Sequence, residues 1–517
     1  MQQGVVPFQY QVEKSSTGLT ALAGLPVYLD LVKAAGLQEL VAEHVRLRGA
    51  GSQGWTDAEV ITSLLLLNVV GGEAVDDLKL LEADGGFCRA LQAANRRRES
   101  KGAAGALRKR WRKGRQRSVP SPSAVFRYLS GFHSEAEEAR REAGRAFIPA
   151  ASEGLKGLAR VNRDFLGFVQ KCSPSAVATL DMDASLVESG KQQALFSYRK
   201  TRAYQPLSTY WFEQDLLVAS EFRDGNVPAG FEQLRVFKEA LACLPAGVER
   251  VRLRSDSAGY QQELLKYCAE GRNERFNVIE FAVSIDVTEA FRQAVQAVPE
   301  DQWLPLTRDA AVDGQREAAA GQEWAEVVFV PNWAAHSKSN PDYRFIAIRE
   351  PIRQQPLLDV AADGLQGLLP FPAAFLPGSG WHKVTGLVTN LEAQGDEVIW
   401  WSRQRCGNSE QAHAVLKEDL AGGQLPSNKF GVNAAWWAIT VLAFNLNSAL
   451  KRLALDEKWH AKRLKAIRFH LINLPGRAIR HARALFIRLN AGHPSNALLL
   501  NARRRILELA QAPPSTA

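Results

Sequence analysis

Cysteine is scarce and carries no pattern: Cys88, Cys172, Cys243, Cys268 and Cys406 are scattered, odd in number and contain no CxxC pair. That excludes a disulfide-dense scaffold and a cysteine-based zinc site, and it predicts a reduced, cytoplasmic protein. Residues Met1 to Tyr10 lack a cationic stretch followed by an apolar one, so no secretory signal is expected. Long hydrophobic runs are missing too. The most apolar, Ala434 to Phe444, is eleven residues long and flanked by Asn433, Asn445 and Asn447, which fits a buried helix and is too short for a bilayer. No internal repeat is visible, and the first 170 residues show no clean helix-turn-helix signature.

What is present is an ordinary globular composition, with 46% hydrophobic and 23% charged residues over a length of 517 that predicts two or three structural units. The net charge of +9 is divided unevenly. Arg96 to Arg117 carries +10 and reads as a mobile loop or arm, Lys451 to Glu508 carries +11, and the remainder carries −12. Two basic arms on an acidic body point to a polyanion partner.

The first part of the chain reads as helical. Thr56 and Glu59 form a capping box ahead of an apolar stripe, and Ser121-Pro122 starts a second helix. Near Ser173 the texture changes. Ala176 to Asp183, Leu207 to Phe212 and Leu216 to Phe222 predict three strands, the last two a hairpin around Glu213-Gln214-Asp215. A helix over Phe231 to Leu244, a strand over Val251 to Asp256, a helix over Gly259 to Ala269 and a strand over Phe276 to Ile285 follow. Three strands, helix, strand, helix, strand is the order of a ribonuclease H-like fold, a mixed sheet flanked by helices. Residues Asp286 to Trp401 predict a β-rich insertion, with strands over Trp324 to Val330, Tyr343 to Arg349, Val384 to Thr389 and Glu397 to Trp401. Helix resumes at Asn408, and the basic tail reads as helical. The predicted units are therefore a helical N-terminal DNA-binding domain (1–170), a core in two parts (171–286 and 402–450), the insertion (287–401) and the tail (451–517).

Acids at the ends of apolar strands are where a hard, oxygen-seeking divalent cation is expected to be held. Period-two alternation puts Asp181 and Asp183 on one face, so either is a candidate ligand, and Asp256 closes the strand that follows. Each also suits a turn or a helix cap. The third candidate is Glu410, which shares a helix face with Lys417 two turns on; a solvated helix face is the plain alternative.

Asp181-Met182-Asp183-Ala184-Ser185, Arg254-Ser255-Asp256-Ser257-Ala258-Gly259-Tyr260 and Arg405-Cys406-Gly407-Asn408-Ser409-Glu410, followed by Glu418 to Gly423 and Asn433-Ala434-Ala435-Trp436-Trp437, together resemble the DDE transposases of bacterial insertion sequences, specifically the insertion-sequence-1380 family. The resemblance runs from about Leu19 to about Leu455. It implies a ribonuclease H-like core with Asp183, Asp256 and Glu410 as catalytic residues holding two Mg²⁺ (or Mn²⁺) ions, and a cytoplasmic protein of the bacterial nucleoid. Asp181, Arg254, Arg405 and Lys417 become residues that support the site or bind phosphate. Related transposases carry a Tyr, Arg, Glu, Lys signature on this helix; Lys417 matches, the Tyr and Arg positions hold Arg403 and Cys406, and the candidates to replace them are Trp400 or Trp401 and, by a one-residue shift, Arg405. The implied partner is double-stranded DNA at the terminal inverted repeats and the target, cut and joined by a homodimer in a synaptic complex, with hairpin ends in some relatives. Arg108, Lys109, Arg110, Arg112, Lys113, Lys462, Arg463 and Lys465 are expected to meet phosphates. Trp303, Trp324, Trp333 and Trp381 are candidates for a stacking face for a flipped base, with core packing the plainer reading of each. The rival readings are a nuclease of the same fold without strand transfer and a non-catalytic DNA-binding descendant.

Overall fold

The structure, a computed structural model, describes residues 2–3, 9–10, 18–48, 54–96, 117–142, 144–309, 316–333, 343–352, 371–376, 380–482 and 484–511. Arg108, Lys109, Arg110, Arg112 and Lys113 lie outside them.

Five strands form the centre: β1 (Val177–Ala184), β2 (Leu207–Trp211), β3 (Leu216–Glu221), β4 (Arg250–Ser255) and β5 (Glu280–Ser284). Their spatial order is β3-β2-β1-β4-β5, with β2 antiparallel to β1 and β3, and β4 parallel to β1 and β5. The sheet is mixed, as the order of elements along the chain predicts, and it sets the two acid-bearing strands side by side. Helices α1 (Gln233–Cys243) and α2 (Gln262–Ala269) make the connections from β3 to β4 and from β4 to β5.

The insertion does not form a sheet of its own. Its strands β6 (Leu304–Asp309), β7 (Arg316–Glu326), β8 (Arg344–Pro351), β9 (Ala373–Leu376) and β10 (Gly380–Thr389) continue the same sheet, because β10 pairs antiparallel with β5 on one side and with β8 on the other. The result is one ten-stranded sheet. The strand expected over Glu397 to Trp401 is instead helix α3 (Gly395–Arg403). The four apolar residues Val398 to Trp401 have no period to separate strand from helix, and here Asp396 and Glu397 favour the positive end of a helix while Val398 and Ile399 bury against the sheet.

The apolar run is buried as expected, inside helix α4 (Phe430–Ala454). Its asparagines are partnered across the core. Between Thr209 and Tyr210 the pairing of β2 with β3 slips by one residue, freeing backbone groups of Leu217 and Val218. Asn445 accepts from the Leu217 amide at 2.7 Å and donates to its carbonyl at 2.9 Å, while Asn162 donates to the carbonyls of Leu217 and Val218. A polar residue in a buried helix thus satisfies a bulge in the sheet beside it. The N-terminal helices pack on α4 as well: Asn68 donates to Thr440 at 3.2 Å and Tyr28 to Asn447 at 2.8 Å. The capping box is present, with the Glu59 amide on Thr56 Oγ1 at 3.2 Å and the Thr56 amide on Glu59 Oε2 at 2.9 Å.

The tail is helical only in part. Strands β11 (Gly476–His481) and β12 (Ala484–Leu489) form a hairpin that adds the short strand Leu19–Thr20 at its edge. The alternation of half-buried and exposed side chains in β12 is period two, a strand signal obscured in the sequence by the surrounding basic residues. Among the described residues no single helix is long and apolar enough to cross a membrane.

Candidate active site

The register of β1 against β4 builds the site. Asp181 pairs with Arg254 and Met182 with Ser255, so the next step sets Asp183 beside Asp256 where the two parallel strands end. Residues in parallel register share a face, and the pairs Asp181–Arg254 and, two residues on, Asp183–Asp256 therefore put four charged side chains on one face.

The inner rung is an ion pair. Arg254 and Asp181 are both fully buried, with Nε to Oδ1 at 2.6 Å and Nη2 to Oδ2 at 2.9 Å. Burial pushes the Asp181 carboxyl up to about 6, against the pull of Arg254. The same guanidinium donates through Nη1 to the Trp401 carbonyl at 2.8 Å and stacks between Phe212 and Trp401. Arg254 is consequently sealed in the core and cannot reach a phosphate, which corrects that part of its expected role.

The outer rung is a pair of like charges. Burial raises the Asp256 carboxyl above the usual aspartate range, and the neighbouring Asp183 raises it further. Asp183 is raised by burial too, with Arg405 pulling down and Glu410 pushing up. Asp256 accepts from the Ala258 amide at 3.1 Å and so also caps a single turn, the structural role that its position allowed.

Helix α5 (Arg405–Ala414) faces this rung. It is broken at its start: Cys406 is extended and Gly407 has φ +96°, ψ −46°. No neighbour would touch a Cβ at Gly407, so glycine is required there by backbone conformation alone. The break sets Arg405 with Nη1 3.5 Å from Asp183 Oδ2. The one-residue shift read from the sequence is thus possible because α5 does not start as a straight helix. Glu410 lies exposed on its first regular turn. His413, which sequence reasoning did not single out, is buried with Nε2 3.7 Å from Asp183 Oδ2, and its Nδ1 has no partner. Burial and the charges of Lys417 and Arg405 push its pKa down to about 4, so it is neutral at pH 7. Lys417 sits on a π-helical turn (Val415–Asp419) with Nζ 3.5 Å from the Leu186 carbonyl.

Among the described residues no group of three or more His, Cys, Asp or Glu side chains is gathered closely enough to hold a metal ion. The donor chemistry of Asp183 and Asp256 nevertheless fits a hard divalent cation: two oxygen donors, adjacent, half-buried and mutually repelling. Glu410 acts electrostatically on Asp183 and stands apart from the pair.

Other expected contacts divide. Arg463 is engaged, donating to Asp419 at 2.9 Å and to Glu418 at 3.1 Å, and Lys465 Nζ lies 3.6 Å from Asp419. Lys462 is exposed at the rim of a cavity of about 270 Å³ that Lys451, Arg452 and the far face of α5 also line. Trp303 and Trp324 are packing residues and not stacking faces: each is 6% exposed, Trp303 under the Arg349 guanidinium and Trp324 against Gly395, where a Cβ would come within 2.2 Å of the indole. Trp333 is wedged edge-on between Tyr260 and Tyr343, and the partly exposed Trp381 meets Phe375 edge-on.

A mixed sheet of this order, with acids at the ends of its two central parallel strands, defines a ribonuclease H-like α/β protein with a carboxylate site. The chain matches the family described as transposase DDE domain group 1 over residues 7–511, and it belongs to that family. No curated protein matches it. Among solved structures it is similar to the piggyBac transposase in a synaptic complex with hairpin DNA, seen by cryo-electron microscopy. The TM-score is 0.40 and the identity 10%, covering 94% of this chain and 83% of that one.

Proposed function

We propose that this DDE transposase, of the insertion-sequence-1380 type, binds the terminal inverted repeats of its element as a homodimer, cuts the DNA and joins the freed 3′-hydroxyl ends to a target. The observation that carries the reading is the outer rung, Asp183 beside Asp256 at adjacent strand ends, since a fold gains nothing from two half-buried like charges. Asp183, Asp256 and Glu410 would hold two Mg²⁺ or Mn²⁺ ions, which supply an activated oxygen nucleophile and neutralise the leaving oxygen. The chain's own part is positional. Asp181 and Arg254 fix the strand ends from beneath, Arg405 offsets negative charge at the rim, and neutral His413 closes the inner wall. Lys417, two turns beyond Glu410, would meet a DNA phosphate. The helical region 1–170 and the tail 451–517 hold the DNA together, a division supported by the strand pairing of Leu19–Thr20 with Gly476–His481.

The test is incubation of the full chain with linear DNA carrying the element's ends and Mg²⁺, followed by sequencing of the products. Cut ends and joined 3′-hydroxyls are expected. Asp183→Asn, Asp256→Asn and Glu410→Gln should each slow cutting by about 10²–10³-fold, the scale of removing one charge-stabilising group. Cutting without joined product would establish a nuclease, and binding indifferent to all three changes with no cutting would establish a non-catalytic descendant.

A further inference from the structure

The segment that leaves β1 just past Asp183 forms a small flap before it returns as β2. Three short strands, Val187–Glu188, Leu195–Phe196 and Arg202–Tyr204, make a sheet with the last in the middle. Its base is fixed. Ala194 and Ala203 are fully buried, Tyr204 stacks on Phe222 at 4.8 Å, and Gly225 passes so close that a Cβ would lie 2.4 Å from the Ala203 carbonyl oxygen. The tip is a tight turn closed by the Ser197 amide on Thr201 and the Lys200 amide on Ser197.

On this rigid base the flap exposes two aromatic rings, Phe196 at 59% and Tyr198 at 70%. Each already carries a guanidinium on its face or rim: Arg202 lies 4.7 Å from the Phe196 centroid and Arg199 lies 5.7 Å from that of Tyr198. Arg202 is held in place by the carbonyls of Gln192 and Ala194. Between Leu186 and Gln205 the chain has four bases, Lys191, Arg199, Lys200 and Arg202, against one acid, Glu188. None of the four forms an ion pair among the described residues, whereas Arg254, Arg349, Arg463 and Arg505 elsewhere do. Exposed rings cost free energy in water, and unpaired cations beside them favour an anionic partner. Every nucleobase offers a π-face and every nucleotide a phosphate. The place is also informative, because Lys417 reaches the Leu186 carbonyl at the root of the flap.

We propose that the flap 187–204 is a binding surface for unpaired DNA beside the carboxylate rim, with Phe196 and Tyr198 stacking on bases and Arg199, Lys200 and Arg202 neutralising the phosphates between them. This rests on the transposase reading of the site and adds to it where the strand lies. The aromatic contribution comes from this flap and not from the tryptophans of the insertion.

The experiment is metal-free, in EDTA, so that binding is read independently of cutting. The full chain is titrated into a fluorescently labelled single-stranded deoxyoligonucleotide of mixed sequence and into the same strand with consecutive abasic sites. The unaltered chain should bind the intact strand more tightly. Phe196→Ala combined with Tyr198→Ala should weaken binding to the intact strand by about tenfold and leave the abasic strand unchanged; Tyr198→Phe should retain affinity. Arg199→Gln with Lys200→Gln should lower the slope of log affinity against log salt by about 0.7 for each charge lost. Equal binding of intact and abasic strands, or affinities unchanged in both double variants, overturns the proposal. If these effects appear but cutting survives changes at Asp183, Asp256 and Glu410, the assignment of the carboxylates fails and the binding surface stands. The reverse pattern sinks the flap alone.

Discussion

The rungs Asp181–Arg254 and Asp183–Asp256 are consecutive same-face positions on the same two strands, yet they are built on opposite principles. The inner rung is fully buried and complementary, with every charge answered by a partner and a carbonyl. The outer rung is half-buried and uncomplementary, two carboxylates raised by desolvation, Asp256 further by Asp183 and Asp183 further by Glu410. Sequence spacing alone made Asp181 and Asp183 equivalent. The comparison teaches that a strand-end acid is separated from its neighbour by what its cross-strand partner is, and here an arginine and an aspartate give opposite answers. An unfavourable arrangement kept by a fold that solves the same problem two residues earlier is the mark of a site with a use.

The contrast breaks most strongly at the inner rung. Asp181→Ala leaves the Arg254 guanidinium buried without its carboxylate and should cost about 3–5 kcal/mol of folding stability, read by chemical denaturation. The double change Asp181→Leu with Arg254→Met should recover much of that loss, because the desolvation cost of both charges disappears together. If the single change is as mild as an exposed substitution, the inner rung is not the structural pair described.

Between the rungs and helix α5 the decisive residue is Gly407. Its φ of +96° belongs to glycine, so Gly407→Ala should cost about 1–3 kcal/mol through backbone strain with no steric clash. Straightening the break would also carry Arg405 away from Asp183, and cutting should fall by more than the stability loss explains. An alanine variant with unchanged stability and unchanged cutting would show that the break does not set the rim.

Much of this was legible in the sequence, and the reasons differ by residue. The central strands were readable because each is an apolar or, in β4, an alternating run closed by polar residues, and α4 because its apolar run is continuous. Glu397 to Trp401 was not, since a short run without period needs its tertiary neighbours to be decided. Arg254 could be placed on a strand but not assigned its partner, which is 73 residues away and fixed only by register. The tail arginines looked free in sequence, yet Arg503 pairs with Asp30 and Arg505 with Asp456, acids brought near only by folding. His413 carried one usable signal, its place one turn after Glu410 on the same helix face, while its burial and missing Nδ1 partner are visible only in three dimensions.

The finest test of the two-rung contrast is thermodynamic. Asp256 has a carboxyl pKa raised in the folded chain above the ordinary aspartate value of about 3.9. A raised carboxyl favours the folded state fully only below the unfolded value, and that contribution is lost as pH rises through the folded value, where the ionised pair repels. Asp256→Asn removes the charge but keeps an acceptor for the Ala258 amide. In metal-free buffer the variant should therefore be more stable than the unaltered chain at pH 7 to 8, with the difference shrinking toward zero below about pH 4. The inner rung is read from its cation, since Arg254→Met leaves the Asp181 carboxylate buried without its partner and should destabilise at pH 7. Loss of a charge that stabilises at the outer rung and destabilises at the inner one would show one rung built to hold the sheet and the other kept against the sheet's interest. If Asp256→Asn also destabilises at pH 7, the carboxylates of the outer rung are not in conflict and the case for a cation between them loses its physical basis.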